Sequence, residues 1–590
     1  MVRCWAVILV LTLCCLGRVG LAAESGYEER LIGWGLELHG RMIDPAPEGK
    51  VIEEIVIASE DIVAATDPYP QLLNALHVKT RPIVVERELT LEVGQPYAAM
   101  AAQESERNLR RLFILAVARV VPVQGSAPDR VGVLVVTKDL WSIRLNSEFS
   151  LVQGSLLQYL RLRPTEQNFL GFNQQLSLDF ELRLDTIGLG QIFTMRRAFG
   201  STWLLSESAR VLFSRETMKP EGTIGQVVAQ EPLTSLSDPS AAQVRVFWDL
   251  RRRRLFRGGE IWQLPFPNAQ APSAFVPFVY DLRNVGADAS YTRSLGSWVK
   301  LDLTGAVAGY SRRYTPPAES NLSAEQQDWF GCNGLPRSED GTLLIASARV
   351  YTSHFRVLRD IETFGLSEDY QLGPNASLTA RWSEPALLSP QRYLEVGATA
   401  RYRLYSHDNL LTLSAGAGTR IVDRAPGCGL QGPFVNNRLA VELYNVSPPV
   451  WIGRFALRAV VEFRDNDLSR TPLTLGGSNG LRGADAEQYL GQNLAMVNFE
   501  YRTRPVEILT LHAGLVLFVD AAAAFPETAW VRSVGLGLRL LFPQFDKESL
   551  RIDIGYVLDE PAGARPFTRW ISASFGQITD VRPSTLDNPI

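Results

Sequence analysis

From residue 141 onward the chain alternates. Leu176, Leu178, Phe180, Leu182 and Leu184 fall on one face of an extended segment, and Ser177, Asp179, Glu181, Arg183 and Asp185 fall on the other. The same period sets Val396, Ala398, Ala400, Tyr402 and Leu404 against Thr399, Arg401 and Arg403. It also sets Leu411, Leu413, Ala415 and Ala417 against Thr412, Ser414 and Arg420, and it continues through 435–444, 455–464, 509–521, 534–542, 550–558 and 567–575. A period of two marks β-strands with chemically distinct faces.

A soluble sandwich also alternates, with its polar face in water. Here the segments run near ~10 residues, and turns of a few residues alternate with long loops such as 315–341 and 465–490. That is the layout of a transmembrane barrel, which joins strands of ~9–11 residues by short turns at one end and longer loops at the other. The pattern therefore predicts a mainly β chain whose residues 141–576 form a transmembrane antiparallel β-barrel. Such a barrel must close, because an open edge in lipid leaves backbone N–H and C=O groups unpaired. Nearly twenty segments qualify as strands. The last five, 491–503, 507–521, 529–542, 548–558 and 567–576, are the clearest.

Ahead of the alternating region the pattern is mixed. Residues 24–49 show no period and end in Pro45-Ala-Pro47-Glu-Gly, which reads as a linker. Ile52, Ile55, Val56 and Ile57 make a strand. A helix is expected over 67–77, opened by Asp67 and spaced by Leu72, Leu73 and Leu76. Residues 82–93 read as a connecting strand, and 98–112 as a second helix with Arg107, Arg110 and Arg111 on its polar side. Two more strands, 113–123 and 131–136, close a small α+β domain over 50–140.

One stretch stands apart. Gly476-Gly477-Ser-Asn-Gly480-Leu481-Arg482-Gly483 is a glycine-dense loop carrying a single arginine. The following strand places Met496, Asn498, Glu500 and Arg502 on one face and Ala495, Val497, Phe499 and Tyr501 on the other.

Composition adds limits. Residues 1–23 read as a secretory signal: Arg3, an apolar core over 6–16, and a small-residue cleavage site at Leu21-Ala22-Ala23. Cys14 and Cys15 leave a lipoprotein signal as the alternative, disfavoured by the bulky Leu13. No later run reaches 18 apolar residues, so helical spans are not expected. A net charge of −4 with no basic stripe argues against nucleic acid as a partner. Outside the signal only Cys332 and Cys428 remain, each in a polar, glycine-containing loop. In an oxidising compartment they form one disulfide or stay as two thiols. The five histidines are scattered and cysteines do not cluster, so no metal, cofactor or catalytic site is expected.

Two motifs resemble the BamA/TamA outer-membrane barrel superfamily (the bacterial surface antigen family). The loop around Leu481-Arg482-Gly483 is similar to that family's inward-folded loop. Leu517-Phe518-Val519-Asp520-Ala521 resembles the strand whose acid receives the loop's arginine. The stretch 80–97 with 104–112 looks like a barrel-proximal POTRA domain, the periplasmic module that precedes such barrels. The resemblance implies sixteen strands, a single POTRA-like domain in the periplasm and a latch in which Arg482 pairs with Glu500 and Asp520. Gly476, Gly477, Leu481 and Gly483 would shape its loop. Ala484 stands where the family has an aromatic residue, which predicts a loosely seated tip. Phe575 occupies the place of the terminal aromatic recognition signal, followed by a tail over 577–590.

What the resemblance implies about function is a non-enzymatic factor in outer-membrane lipid. It would help insert outer-membrane proteins or translocate an unfolded, secreted client polypeptide, with a periplasmic partner engaged through the POTRA-like domain. Two alternatives stay open. One is a passive surface barrel, acting as receptor, pore or structural protein. The other is a lipid hydrolase using the literal Gly-x-Ser-x-Gly at 476–480, although no helix follows that motif as a nucleophile elbow requires.

Overall fold

The computed structural model describes residues 27–64, 70–152, 155–257, 260–267, 274–423, 427–428, 430–477, 479–485, 487–508, 511–559 and 569–575. The signal region 1–23, Asp67, Ser478 and the tail 577–590 lie outside the described residues.

The small domain is built on a three-stranded sheet. β1 (Val51–Glu60) pairs in parallel with β3 (Arg130–Asp139), and β3 pairs antiparallel with β2 (Leu115–Gln124). The central strand is apolar on both sides, and the reason is visible in its packing. Val131, Val133 and Val135 face one cluster, with Leu109, Val84 and Val85, while Leu134 and Val136 face another. A strand covered on both faces carries a continuous apolar run rather than an alternating one.

That second cover corrects the linker expected over 24–49. Residues Tyr27–Leu38 form helix α1, whose Leu31, Ile32, Trp34 and Leu36 pack against Leu134 and Val136. Two glycines lower helix propensity and hide the segment from a periodicity reading. Gly35 has a positional reason, since a Cβ there would lie 2.8 Å from a methyl of Val136. The strand expected over 82–93 is also corrected. Pro82–Glu86 is a short helix, α2, with proline in its first turn, a position that tolerates the missing N–H. Only a 3₁₀ segment, Gln71–Leu76, stands where the helix over 67–77 was expected. The second helix, α3, spans Ala99–Arg110.

The remainder is one antiparallel sheet of about twenty strands. Its order follows the chain from Ile143–Val152 to Arg569–Phe575, and the last strand pairs with the first, from Trp570–Val152 to Ala573–Phe149. The sixteen strands implied by the resemblance are too few for this sheet. The segments within 141–165 and 286–312 form two long hairpins, each strand with its own neighbours. The chemistry of the two faces is opposite to that of a water-soluble sheet. Leu178 is 61% exposed while the adjacent Asp179 is 4% exposed. Leu378, Leu517 and Leu536 are exposed likewise, and Glu442, Arg458, Asn498 and Glu500 are buried.

The small domain sits at one end of the sheet. Its Thr80 and Val78 accept hydrogen bonds from Asn168, and Glu104 accepts from Ser235 and Leu236. Arg110 holds Asp369 through two bonds of 2.8 Å. Arg107 stacks on Phe355 at 4.2 Å. These two arginines, on the polar side of the helix as expected, face the sheet and form part of the joint. Among the described residues no helix is long and apolar enough to cross a membrane.

Replacing Leu31 by Ala removes the side chain that anchors α1, at a cost of about 2–5 kcal/mol for a buried leucine. The expected result is faster trypsin cleavage at Arg30 and Arg41 of the folded protein, read by mass spectrometry. Cleavage at the wild-type rate would show that α1 does not depend on this contact.

Candidate functional site

The loop 466–492 enters the interior from the end opposite the small domain. It opens and closes as a short hairpin, Leu473–Leu475 paired with Tyr489–Gly491. Between these strands the backbone turns tightly: Gly476 donates to the carbonyl of Asn479, and Asn479 donates back to Gly476. Asn498 on the wall donates to the carbonyl of Gly480 at 2.8 Å. Leu481 and Ala484 are buried in a cluster with Val460, Leu475, Met496, Ala522 and Val557.

Arg482 is the centre of the site. Its Nε and Nη2 each lie 2.8 Å from a carboxylate oxygen of Asp520, a bidentate pair, and its backbone N–H donates to the same group. Its Nη1 donates to Glu500 at 2.5 Å and lies 3.6 Å from Asp553. The guanidinium also stands over the ring of Phe518, 3.6 Å from the centroid. All four charged side chains are at most 1% exposed. Planar two-pronged geometry suits arginine, and lysine cannot reproduce it.

Further cations complete the cluster. Arg502 donates to Glu500 at 2.7 Å, and Arg539 donates to Asp553 at 2.6 Å. Arg551 also lies 3.5 Å from Asp553, so four arginines meet three carboxylates and every buried acid has a cation beside it. Sequence reasoning named Arg482, Glu500 and Asp520 and missed Arg502, Arg539, Asp553 and Phe518 in this role. Parity was the signal available: Phe518 shares the face of Asp520, and Arg502 that of Glu500.

The tip is not loosely seated, so the expectation drawn from Ala484 is corrected. Gly483, with φ +102°, lies so close to the next strand that a Cβ would stand 2.9 Å from the backbone nitrogen of Tyr556. Backbone contact and a small buried Ala484 fill the space, leaving no room for an aromatic ring. Gly477 donates to the carbonyl of Ala484 at 2.9 Å, tying the two arms of the loop.

Other expected residues lie elsewhere. Cys332 and Cys428 are bonded to each other, with Cα atoms 4.8 Å apart, and tie together two loops at the end from which 466–492 enters. Phe575 ends the last strand, paired with Leu550. His354, His407 and His512 lie at strand ends on the small domain's side, away from the Gly476–Gly480 turn. His77 pairs with Asp139 inside the small domain.

No protein-family model matches the chain, and no curated protein is similar to it in sequence. Among solved structures, it is similar to BamA from Haemophilus ducreyi lacking POTRA domains 1–3, with 12% identity over 89% of this chain and 84% of that one and a TM-score of 0.33. CdiB from Acinetobacter baumannii shares 12% identity over 90% and 74%, with a TM-score of 0.40. CdiB from Escherichia coli shares 10% over 91% and 80%, with a TM-score of 0.42.

Arg482→Ala leaves Asp520 buried without its cation and takes from Glu500 one of its two close arginines, a loss of about 3–5 kcal/mol. The expected outcome is a lower midpoint of heat-induced unfolding in detergent, followed by gel mobility, with Arg482→Lys only partly restoring it. Wild-type melting in the alanine variant would remove the latch from the account.

Proposed function

We propose that this chain is an outer-membrane β-barrel of the BamA/TamA type, with a single POTRA-like periplasmic domain, that handles a polypeptide client during insertion or translocation. The observation that carries the reading is the inverted wall. Fully burying a leucine is worth about 1.5–3 kcal/mol, so a ring of exposed leucines is unfavourable in water and favourable in lipid. Charges on the enclosed face are then lumen groups, paired across neighbouring strands. Arg458 holds Glu442 at 2.7 Å, and Arg161 holds Asp179 at 2.9 Å.

Direction follows from the joint. The small domain covers the end with the shorter turns, so that end is periplasmic and the long, disulfide-linked loops are external. A small domain bonded to several turns around one mouth is positioned to receive a chain and present it to the barrel. The latch from the far side and the hairpin Phe355–Leu358 with Glu368–Gln371 from the near side both occupy the lumen. That arrangement favours a gated role over a passive open pore. The chemistry needed is binding and conformational change, with no bond made or broken.

Two experiments test the reading. Leu536→Arg places a charge on the lipid face, where it costs about 2–4 kcal/mol near the bilayer midplane. The folded fraction in liposomes is expected to fall while folding in short-chain detergent suffers less. Deleting residues 50–138 is expected to leave a client outer-membrane or secreted protein in the periplasmic fraction. Unchanged fractionation across the surface proteome would overturn the polypeptide-handling role.

A further inference from the structure

A cleft of about 410 Å³ opens between the small domain and the periplasmic mouth of the barrel. Five arginines and two acids line it: Arg110, Arg119, Arg356, Arg359 and Arg454 against Glu106 and Asp360. Three of the arginines are already engaged. Arg110 pairs with Asp369 and Glu106, Arg119 with Glu106 and Glu28, and Arg359 with Glu28. Arg356 and Arg454 have no carboxylate partner among the described residues. Arg356 stands over the ring of Tyr405 at 4.5 Å, and Arg454 donates to the backbone carbonyl of Asp408 at 3.3 Å. The Asp408 carboxylate accepts from the Tyr405 hydroxyl at 2.7 Å and makes no ion pair with either arginine. Two guanidiniums are thus held in place at the cleft, neither paired directly with a carboxylate among the described residues.

The surroundings indicate what shape of ligand fits. Arg356 and Arg359 belong to the hairpin that enters the mouth, and its strand Phe355–Leu358 pairs on one side only, with Glu368–Gln371. β2, which carries Arg119, has its own edge partly taken, by residues 42–44 at Pro122 and Gln124 and by the Glu106 carboxylate at the Val120 N–H. An extended chain can place backbone groups against the unpaired side of Phe355–Leu358 and carboxylates against the arginines at the same time. A phosphorylated lipid headgroup would satisfy the charge and leave the edge unused.

From this we infer that the cleft is a docking site for an extended acidic polypeptide segment, whose Asp or Glu side chains are taken by Arg356 and Arg454. This rests on the polypeptide-handling role proposed above and narrows it, naming acidic segments as what the periplasmic mouth selects.

The test uses the full-length protein in detergent micelles. The probe is a fluorescein-labelled ten-residue peptide alternating Asp and Ser, compared with the same peptide carrying Asn for Asp. The acidic probe is expected to bind, more weakly as salt is raised, and the amide probe at least tenfold less well. Arg356→Gln with Arg454→Gln is expected to weaken acidic-probe binding at least tenfold while keeping the wild-type heat-shifted gel mobility. Arg356→Lys with Arg454→Lys is expected to bind the acidic probe better than the glutamine variant and less well than wild type, since a charge of the same sign remains while the planar fork is lost. Equal binding of the two probes, or unchanged binding in the glutamine variant, overturns the site. So does a wild-type protein that ignores the acidic peptide but binds phosphatidylglycerol micelles. The broader role fails separately. Acidic-probe binding without any effect of deleting 50–138 on client fractionation supports the site and removes the transport role. Domain-dependent fractionation without probe binding removes the site and leaves that role standing.

Discussion

The controlling constraint is charge placed on the enclosed side of a sheet. A wall whose outer face meets lipid has to send its polar residues inward, and there each ionised group needs a partner within the protein. Removing one member of a buried pair costs more than the pair contributes, because the charge left behind has lost both water and its counterion. This explains why the interior is built from Arg–carboxylate pairs in series. It also explains why the loop 466–492 carries an arginine at its tip. Arg482 is the cation that Asp520 lacks among its own strand neighbours, since Arg502 pairs with Glu500 and Arg539 and Arg551 flank Asp553. The loop is therefore part of the wall's charge balance.

Much of the wall was legible because a period of two states both the strand and its faces. Which face would be buried was legible only in combination with segment length. The strand number was not, since the sixteen came from a resemblance and the chain's own count stood nearer the outcome. The small domain was less transparent. α1 carries Gly33 and Gly35, and its buried set Leu31, Ile32, Trp34 and Leu36 reads as a cluster without period. The tertiary contact with Val136 that makes Gly35 useful is about 100 residues away in sequence. In α2, Ile83, Val84 and Val85 have strand propensity, and proline at the helix start together with burial against Leu109 decided otherwise. Ala484 misled for a related reason. A missing ring suggested an empty space, whereas the backbone itself had moved in through Gly483 and Gly555.

Of the site, the arginine and two of its acids came from the family resemblance, with the parity of Glu500 and Asp520 on their strands in support. Asp553 and Arg539 were not readable, because they lie on strands whose distance from the loop tip depends on register across several hairpins. One residue of slip would have turned both outward. Register is set by the full set of pairings, which no local window contains.

The two obstructions of the lumen differ in what holds them. At the end far from the small domain, Arg482 sits in a fully buried cluster of paired charges, its loop arms pack in an apolar core, and the neighbouring loops are joined by Cys332 and Cys428. At the end that the small domain covers, the hairpin over 355–371 also buries Leu358, Ile361 and Tyr370. Its ties to α1 and α3, however, are ion pairs reached by solvent, with Arg359 39% exposed and Arg110 11% exposed against Glu28 and Asp369. The Arg359–Glu28 pair is of the exposed kind, which contributes about 0–1 kcal/mol and is weakened by salt, whereas the two-pronged Arg110–Asp369 pair is largely shielded. A carboxylate from outside competes directly for an exposed arginine such as Arg359, and it has no comparable purchase on the buried Arg482. The hairpin at the small domain's end is accordingly the less firmly held of the two.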